Sequence, residues 1–342
     1  MSPPDVSIIL PVRNAERYLS QCLDSIDRQT LNSWELVAVN DGSIDQSLEI
    51  LHHYAKCDSR VLLLNNPGKG LASALNYGIQ HANAKMIARM DADDLMHPER
   101  LEIQFTYLEQ KPEVDLVSSR VAHFPKAHKK IRKGYEVYVD WTNTIITAEE
   151  HLMNRFVDSP FAHPSVTFRK SIVEKFGGYR EGNFPEDFEL WLRWMGAGVM
   201  MEKIPRVLLE WRDHPQRASR TDSRYHQLAF QKIKAQYVNL WLKNEADLNG
   251  RRIYGWGAGR VARKFAGHLT REGIKLSGLI DLDLQKIGKR MNGLPVLSIK
   301  SLPPAKECFI LILLGARGKR EEISEYLTMK GFIPGRDFLP LA

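Results

Sequence analysis

Short apolar runs alternate with amphipathic stretches over the first 120 residues, and this rhythm constrains the fold more than any other feature of the chain. "VSIILPV", "WELVAVND", "RVLLLNN", "KMIARMD" and "DLVSS" are separated by helical patterns over 15–30, 44–57, 71–82 and 98–111. Nearly continuous apolar runs are strands covered on both faces, and connections this long are helical crossovers rather than hairpins. The product is a doubly wound, mostly parallel α/β sheet. Such sheets bind ligands beyond the carboxyl ends of their strands. The polar residues that break the pattern fall there: Arg13 and Asn14 after the first run, Asp41 after the second, Asn65 and Lys69 after the third, Asp91 and Asp93 after the fourth.

The 342 residues exceed the ~100–200 of a usual single domain, so at least two cores are expected. From 120 to 220 the alternation gives way to aromatic and Gly-rich pieces, read as the acceptor-side wall of the first domain. Residues 222–249 carry Leu228, Phe230, Ile233, Tyr237, Leu240 and Trp241 at helical spacing and are read as a linker helix packed on that body; membrane-surface binding is the rarer alternative. A second α/β alternation fills 250–342. In it Gly255-x-Gly257-x-Gly259 opens a helix and Asp281 ends the next strand, where a dinucleotide's ribose partner would lie. The spacing is GxGxG rather than GxGxxG, so the glycines equally serve close strand–helix packing.

Composition narrows the function classes. An apolar fraction of 43% and a charged fraction of 26% are those of a globular protein, and no apolar run approaches the roughly 20 residues of a membrane span. The start lacks a basic segment ahead of its apolar stretch, which makes a poor secretory signal and leads to a cytoplasmic reading. Cys22, Cys57 and Cys308 are far apart and fit neither a disulfide framework nor structural zinc. The net charge of +7 is partly local, since "KAHKKIRK" at 126–133 holds five Lys and Arg and no acid. That stretch is a solvated loop or a contact for a phosphate-bearing acceptor or anionic membrane; no nucleic-acid partner is expected.

The sharpest local signal is "ARMDADDLMHPER", with Asp91, Asp93 and Asp94 within four positions at the end of a strand. Crowded carboxylates resist ionisation unless a cation or hydrogen-bond donors compensate, and a divalent metal is the usual compensator. The plain alternative is a polar turn in which His97 or Asp94 caps a helix beginning at Pro98.

Seven motifs in order decide between these readings: "SIILPVRNAERYLSQCLDSI", "WELVAVNDGSIDQS", "NPGKGLASALNYGI", "ARMDADD", "HPSVTFRKS", "GGYRE" followed by "PEDFELWLR", and "EWRDH". Through them residues 5–220 resemble a glycosyltransferase family 2 enzyme of the GT-A fold, and 250–342 is more loosely similar to a small Rossmann-like domain of some sugar-modifying enzymes. The resemblance implies a catalytic domain over 1–221. Asp41 would accept hydrogen bonds from the nucleotide base, most often uracil, with Pro11 and Arg13 bordering it and Lys69 approaching the phosphates. Asp91 would face the ribose while Asp93 ligates Mn²⁺ or Mg²⁺. Asp187, paired with Glu186, would be the general base, and Arg212 and His214 would close over the diphosphate, His214 as a further metal ligand. Trp211 stands where relatives commonly have Tyr. His163 borders the sugar site or is a satisfied structural histidine.

The function implied is metal-dependent, inverting sugar transfer from a nucleotide-sugar donor to a saccharide or lipid-linked hydroxyl acceptor. Bacterial surface-polysaccharide or glycolipid assembly, with peripheral contact at the inner membrane face, is the implied setting. Two other classes compete: an NAD-dependent oxidoreductase built on the C-terminal glycine turn, and a non-catalytic sugar-nucleotide-binding module. The first leaves the N-terminal rim unexplained. The second leaves unexplained why both acidic motifs are intact.

Overall fold

The structure, a computed structural model, describes residues 3–124, 133–316 and 318–342. Of the basic stretch 126–133, all but the backbone of Lys133 lies outside the described residues. The chain divides into two compact units. The first comprises the chain up to His151, Ser159–Gly182 and Glu186–Thr221; the second comprises Leu152–Asp158, Asn183–Pro185 and Asp222–Ala342.

The first unit is built on β1 (Val6–Val12), β2 (Trp34–Asn40), β3 (Val61–Asn65), β4 (Met86–Arg89), β5 (Leu95–Met96), β6 (Leu116–Phe124), β7 (Thr167–Arg169) and β8 (Met201–Arg212). Their order across the sheet is β3-β2-β1-β4-β7-β6-β8-β5. The pairs β1/β2, β2/β3, β1/β4 and β6/β8 are parallel, whereas β7 runs antiparallel to β4 and β6, and β5 antiparallel to β8. This is the mixed, mostly parallel sheet of the GT-A fold. Alternate residues of β1 feed opposite cores: Ile8, Leu10 and Val12 join one apolar cluster, and Ile9 joins the other with Val37 and Val39. Register matters for function, because Val12 pairs with Asn40 and Asn40 with Asn65. Three strands therefore end level, and the residues after them share one rim.

The helices are shorter than their sequence patterns. The stretch expected from 15 to 30 is helical over Leu19–Asp27, and that expected from 98 to 111 over Arg100–Gln110. Residues 13–18 are held in a loop instead. Asn14 takes φ +51° and accepts from the Ile44 N–H at 2.9 Å, while the Ala15 and Glu16 amides donate to Ser47 and Asp45. The capping alternative for Asp94 also fails. The helix begins after Glu99, with no side-chain cap, and Asp94 is fully buried and turned toward β8.

The second unit holds β9 (Arg252–Trp256), β10 (Leu276–Asp281), β11 (Arg290–Met291), β12 (Leu294–Ser298), β13 (Cys308–Ile312) and β14 (Phe338–Pro340), ordered β11-β12-β10-β9-β13-β14. All pairs but β11/β12 are parallel. The stretch read as a linker packed on the first body contains the helix Gln227–Asn244, and this helix clusters with the second unit. Lys234 inserts its amine there to donate to the Val157 carbonyl at 2.5 Å, and Trp241 lies near the rings of Phe156 and Phe309.

The glycine turn of this unit has a packing reason. A Cβ on Gly255 would meet Leu313 at 2.7 Å, and one on Gly257, where φ is +121°, would meet Leu314 at 2.8 Å. Asp281 accepts the N–H of Ala258 at 2.7 Å and that of Asp283 at 2.9 Å, and Lys286 lies 3.5 Å from it. The carboxylate at the expected ribose position is thus engaged by its own turn.

Candidate active site

At the first strand ends, Asp41 is buried and fixed by neighbours on three segments. Its Oδ1 accepts from Asn66 Nδ2 at 2.7 Å and from the Gly70 N–H at 3.0 Å, and Arg13 lies 3.7 Å from its Oδ2. Pro11 is buried in β1, whereas Arg13 and Lys69 are exposed. Gly70, at φ +91°, begins the helix Leu71–His81 and turns its amide onto Asp41. Asn66 was not among the sequence candidates, although "NNPGKG" marks it as a turn residue at a strand end.

The aspartate cluster follows β4. Candidate ligand oxygens of Asp91, Asp93 and Asp94 lie within 4.8 Å of one another. The two-residue β5 brings this loop to β8, pairing Leu95 with Glu210 and Met96 with Leu209. Trp211 and Arg212 therefore lie opposite the aspartates. Asp94 Oδ1 accepts the Arg212 N–H at 2.7 Å, Arg212 Nε donates to the Asp93 carbonyl at 2.6 Å, and its Nη2 donates to Gln21 at 2.8 Å. The Arg212 guanidinium also lies over the rings of Tyr18 and Phe124 at 4.6 and 4.5 Å. His214 Nε2 is 2.7 Å from Asp93 Oδ2.

Two buried arginines were missed in the sequence. Arg89, the last residue of β4, ion-pairs with Asp91. Arg217 lies over Trp211 at 4.5 Å and donates to the Arg212 carbonyl at 2.8 Å, also contacting the Tyr135 hydroxyl. The signal for both was an arginine beside an acidic motif, in "ARMD" and "DHPQR".

Charge is distributed unevenly over the cluster. Burial, and then the charge of Asp93, hold the Asp94 carboxyl well above its ordinary range. Burial also disfavours the charged form of Asp93, yet its bond with His214 and the charge of Arg217 draw it below that range. Asp94 Oδ2 and His214 Nδ1 are buried without a hydrogen-bond partner among the described residues. An orphaned carboxylate oxygen within a three-carboxylate cluster fits a hard divalent cation, which oxygen ligands favour.

Glu186 and Asp187 open the helix Glu186–Gly196. Asp187 accepts the Phe188 N–H at 2.7 Å. Burial and the charge of Glu186 push its carboxyl up to about 7, against the pull of that N–H and of Arg89. His163 Nε2 meets the Tyr179 hydroxyl at 2.7 Å, so this histidine has a partner. Burial, aided by the charge of Arg89, holds His163 well below its ordinary range and hence neutral.

Comparison with known proteins agrees with this architecture. Residues 7–177 match the family profile described as Glycosyl transferase family 2. The chain belongs to that family and is a glycosyltransferase. Among its relatives is the amylovoran biosynthesis glycosyltransferase AmsE of Erwinia amylovora, 35% identical over 60% of this chain and 74% of the relative. Another is the UDP-Gal:alpha-D-GlcNAc-diphosphoundecaprenol beta-1,3-galactosyltransferase of Escherichia coli, 28% identical over 68% of this chain and 82% of the relative. A solved structure of S. aureus TarS 1–349 with UDP-GlcNAc superposes with a TM-score of 0.49 at 14% identity, covering 70% of this chain and 73% of that one.

Proposed function

We propose that this glycosyltransferase moves a sugar from a nucleoside-diphosphate donor, a UDP-sugar, to a hydroxyl of a saccharide carried on a lipid, with inversion at the anomeric carbon. The observation that carries the reading is the clustering of Asp91, Asp93 and Asp94 at the strand ends, with Arg89 paired to Asp91 and His214 bonded to Asp93, beside a second acidic pair, Glu186/Asp187, at a helix start of the same unit. Asp41, held by Asn66 and Gly70, accepts from the base, with Pro11 and Arg13 beside it; Asp91 takes the ribose and Lys69 approaches the phosphates. Asp93, joined by His214, and the unpaired buried oxygen of Asp94 would hold Mn²⁺ or Mg²⁺, which when bound would supply positive charge against the diphosphate leaving group. Arg212 adds a fixed cation on the same side.

Asp187 takes the proton of the acceptor hydroxyl as its oxygen forms the new bond to the anomeric carbon and the carbon–phosphate-oxygen bond breaks toward the diphosphate. A base near pH 7 suits that step, since it is largely ionised at working pH yet still basic enough to accept the proton. Glu186 raises the basicity of Asp187 through its charge. A lipid-linked acceptor is supported by the acceptor named for the E. coli relative, and a role in surface polysaccharide by the Erwinia relative. The acceptor would be met by peripheral contact at the cytoplasmic face; among the described residues no helix is long and apolar enough to cross a membrane. The test is a donor screen by nucleotide release with Mn²⁺, followed by NMR of the product's anomeric configuration. A product that retains the donor configuration would exclude single displacement.

A further inference from the structure

We propose that the carboxyl rim of the second unit's sheet is a docking surface for an anionic lipid bilayer, in which Leu282, Leu284 and Val261 enter the headgroup layer while Arg260, Lys264 and Lys289 meet lipid phosphates. The inference rests on the reading of a lipid-carried acceptor, and it gives the peripheral contact that reading requires a place in the fold.

The sheet register puts these residues on one rim. β9 and β10 are parallel neighbours with Trp256 opposite Ile280, so the segments after them leave the sheet level with each other. Asp281 joins the two segments by accepting the Ala258 N–H at 2.7 Å, and the helix Arg260–Arg271 starts two residues beyond Ala258. The segment after β10 is stapled to itself. Asp281 accepts the Asp283 N–H at 2.9 Å, the Asp283 carboxylate accepts the Gln285 N–H at 2.9 Å, and the Asp283 carbonyl accepts the Lys286 N–H at 2.9 Å. This bonded turn holds Leu282 and Leu284 in water, 65% and 86% exposed, beside Val261 at 51% on the start of the adjoining helix. Val261 and Lys264 are three residues apart and share that helix's outer face.

Exposed apolar residues scattered singly are ordinary. Here three are gathered at one edge of the unit, and the charge around them is one-sided. Lys286 lies 3.5 and 3.0 Å from Asp281 and Asp283 and so occupies both acids of the turn. On the other side of β9, the helix after β13 pairs its own Glu321 and Glu322 with Arg320 and Lys319. Arg260, Lys264 and Lys289 are exposed and form no ion pair among the described residues. The helix they border has no acid in its first turn and no side-chain cap, so its N-terminal dipole adds to the positive charge instead of being offset. Leucines standing among unpaired cations match an anionic bilayer, where apolar side chains reach past the phosphates that the cations meet. A second copy of the same face would bring like charges together, which disfavours self-pairing.

The experiment sediments the full chain, without donor, metal or acceptor, with sucrose-loaded vesicles of phosphatidylglycerol and phosphatidylcholine in equal parts, and with vesicles of phosphatidylcholine alone. Binding to the anionic vesicles should exceed binding to the neutral ones and fall as salt rises. The double variant Leu282→Ser/Leu284→Ser should weaken it about tenfold or more. Arg260→Gln/Lys264→Gln should weaken it by about fivefold for each cation removed. All four positions are exposed, so the far-ultraviolet circular dichroism should not change. Absence of anionic-vesicle binding in the wild type overturns the proposal, and so does binding that is unchanged in both double variants, which would place the contact elsewhere. Self-association that is lost in the leucine variant while vesicle binding persists, read by sedimentation velocity, would make the face a protein interface and overturn it as well. Because no acceptor is present, an acceptor that proves to be a free saccharide would undo the reading of the acceptor and leave the vesicle result to be judged on its own.

Discussion

The two units each end a parallel sheet in a rim bearing an aspartate, and the rims differ in what those aspartates are left to do. In the second unit Asp281 accepts two backbone N–H groups and lies near Lys286, and the glycines beside it are required by Leu313 and Leu314. In the first unit three aspartates crowd together, one with a buried oxygen unpaired among the described residues, and a further carboxyl is pushed up to about 7. A rim that is costly as it stands is the one we propose is arranged for a ligand, because stability alone would not select it. Two sheets that share a parallel centre thus end in a crowded acidic rim in one unit and a well-satisfied turn in the other.

The strongest way to break this contrast is to neutralise the costly carboxyl. Asp187→Asn should preserve donor binding and cut turnover by about 10²–10⁴-fold, the range for losing a general base. Calorimetry with the donor and single-turnover kinetics separate the two effects. Wild-type turnover would exclude Asp187 and direct attention to Glu186, whereas lost donor affinity would make the pair a binding element.

Asp93→Ala should remove the Mn²⁺-dependent part of UDP affinity and leave the far-ultraviolet circular dichroism unchanged. Asp93 is partly exposed at the rim, and its partners Arg212 and His214 retain other contacts. UDP affinity that still responds to Mn²⁺ in this variant would assign the cation elsewhere.

Much of this contrast was legible in the sequence, and the illegible parts share a physical cause. The sheet and the rim were readable because apolar strands and polar strand ends follow one-dimensional periodicity. For Arg89 and Arg217 only the adjacency to an acidic motif was readable; their placement was not, because it depends on β4 meeting β7 and on β5 bringing the aspartate loop to β8, strands that are distant in sequence or too short to show a period. Capping by Asp94 stood as the plain alternative because a helix follows it. Its actual partner, the Arg212 N–H, is 118 residues away. The glycine turn was ambiguous for a related reason: close packing and phosphate binding both call for glycine, and only Leu313 and Leu314 show which demand is present.

A smaller effect sharpens the contrast through pH. The folded-state value of Asp187, about 7, lies above its ordinary 3.8. The folded protein therefore binds the proton more tightly, and the stability this supplies is complete below about pH 4 and lost as pH rises to 7. Asp187→Asn has no such loss, so its stability relative to the wild type should improve between pH 4 and 8, by about 1–3 kcal/mol once coupling to Glu186 is discounted. Urea melts at both pH values measure this slope, which is independent of any constant cost of the amide. Parallel curves would mean that Asp187 is ionised throughout and that its burial is compensated.

The smallest effect is expected in the second unit, and there the contrast is most exposed to failure. Asp281→Ala removes the acceptor of the Ala258 and Asp283 amides and should cost about 1–2 kcal/mol, the range for leaving a partly buried donor unpaired. It should leave UDP affinity and turnover at wild-type values, because those belong to the first rim. Asp41→Ala should do the reverse: UDP affinity falls, since a base N–H loses its acceptor, and Asn66 and the Gly70 amide lose theirs as well. Calorimetry with UDP and with NADH on both variants reads the difference directly. Should Asp281→Ala weaken UDP binding as Asp41→Ala does, or should the wild type bind NADH and lose it in Asp281→Ala, the second rim would also be a ligand site and the satisfied state of its aspartate would describe only the ligand-free form.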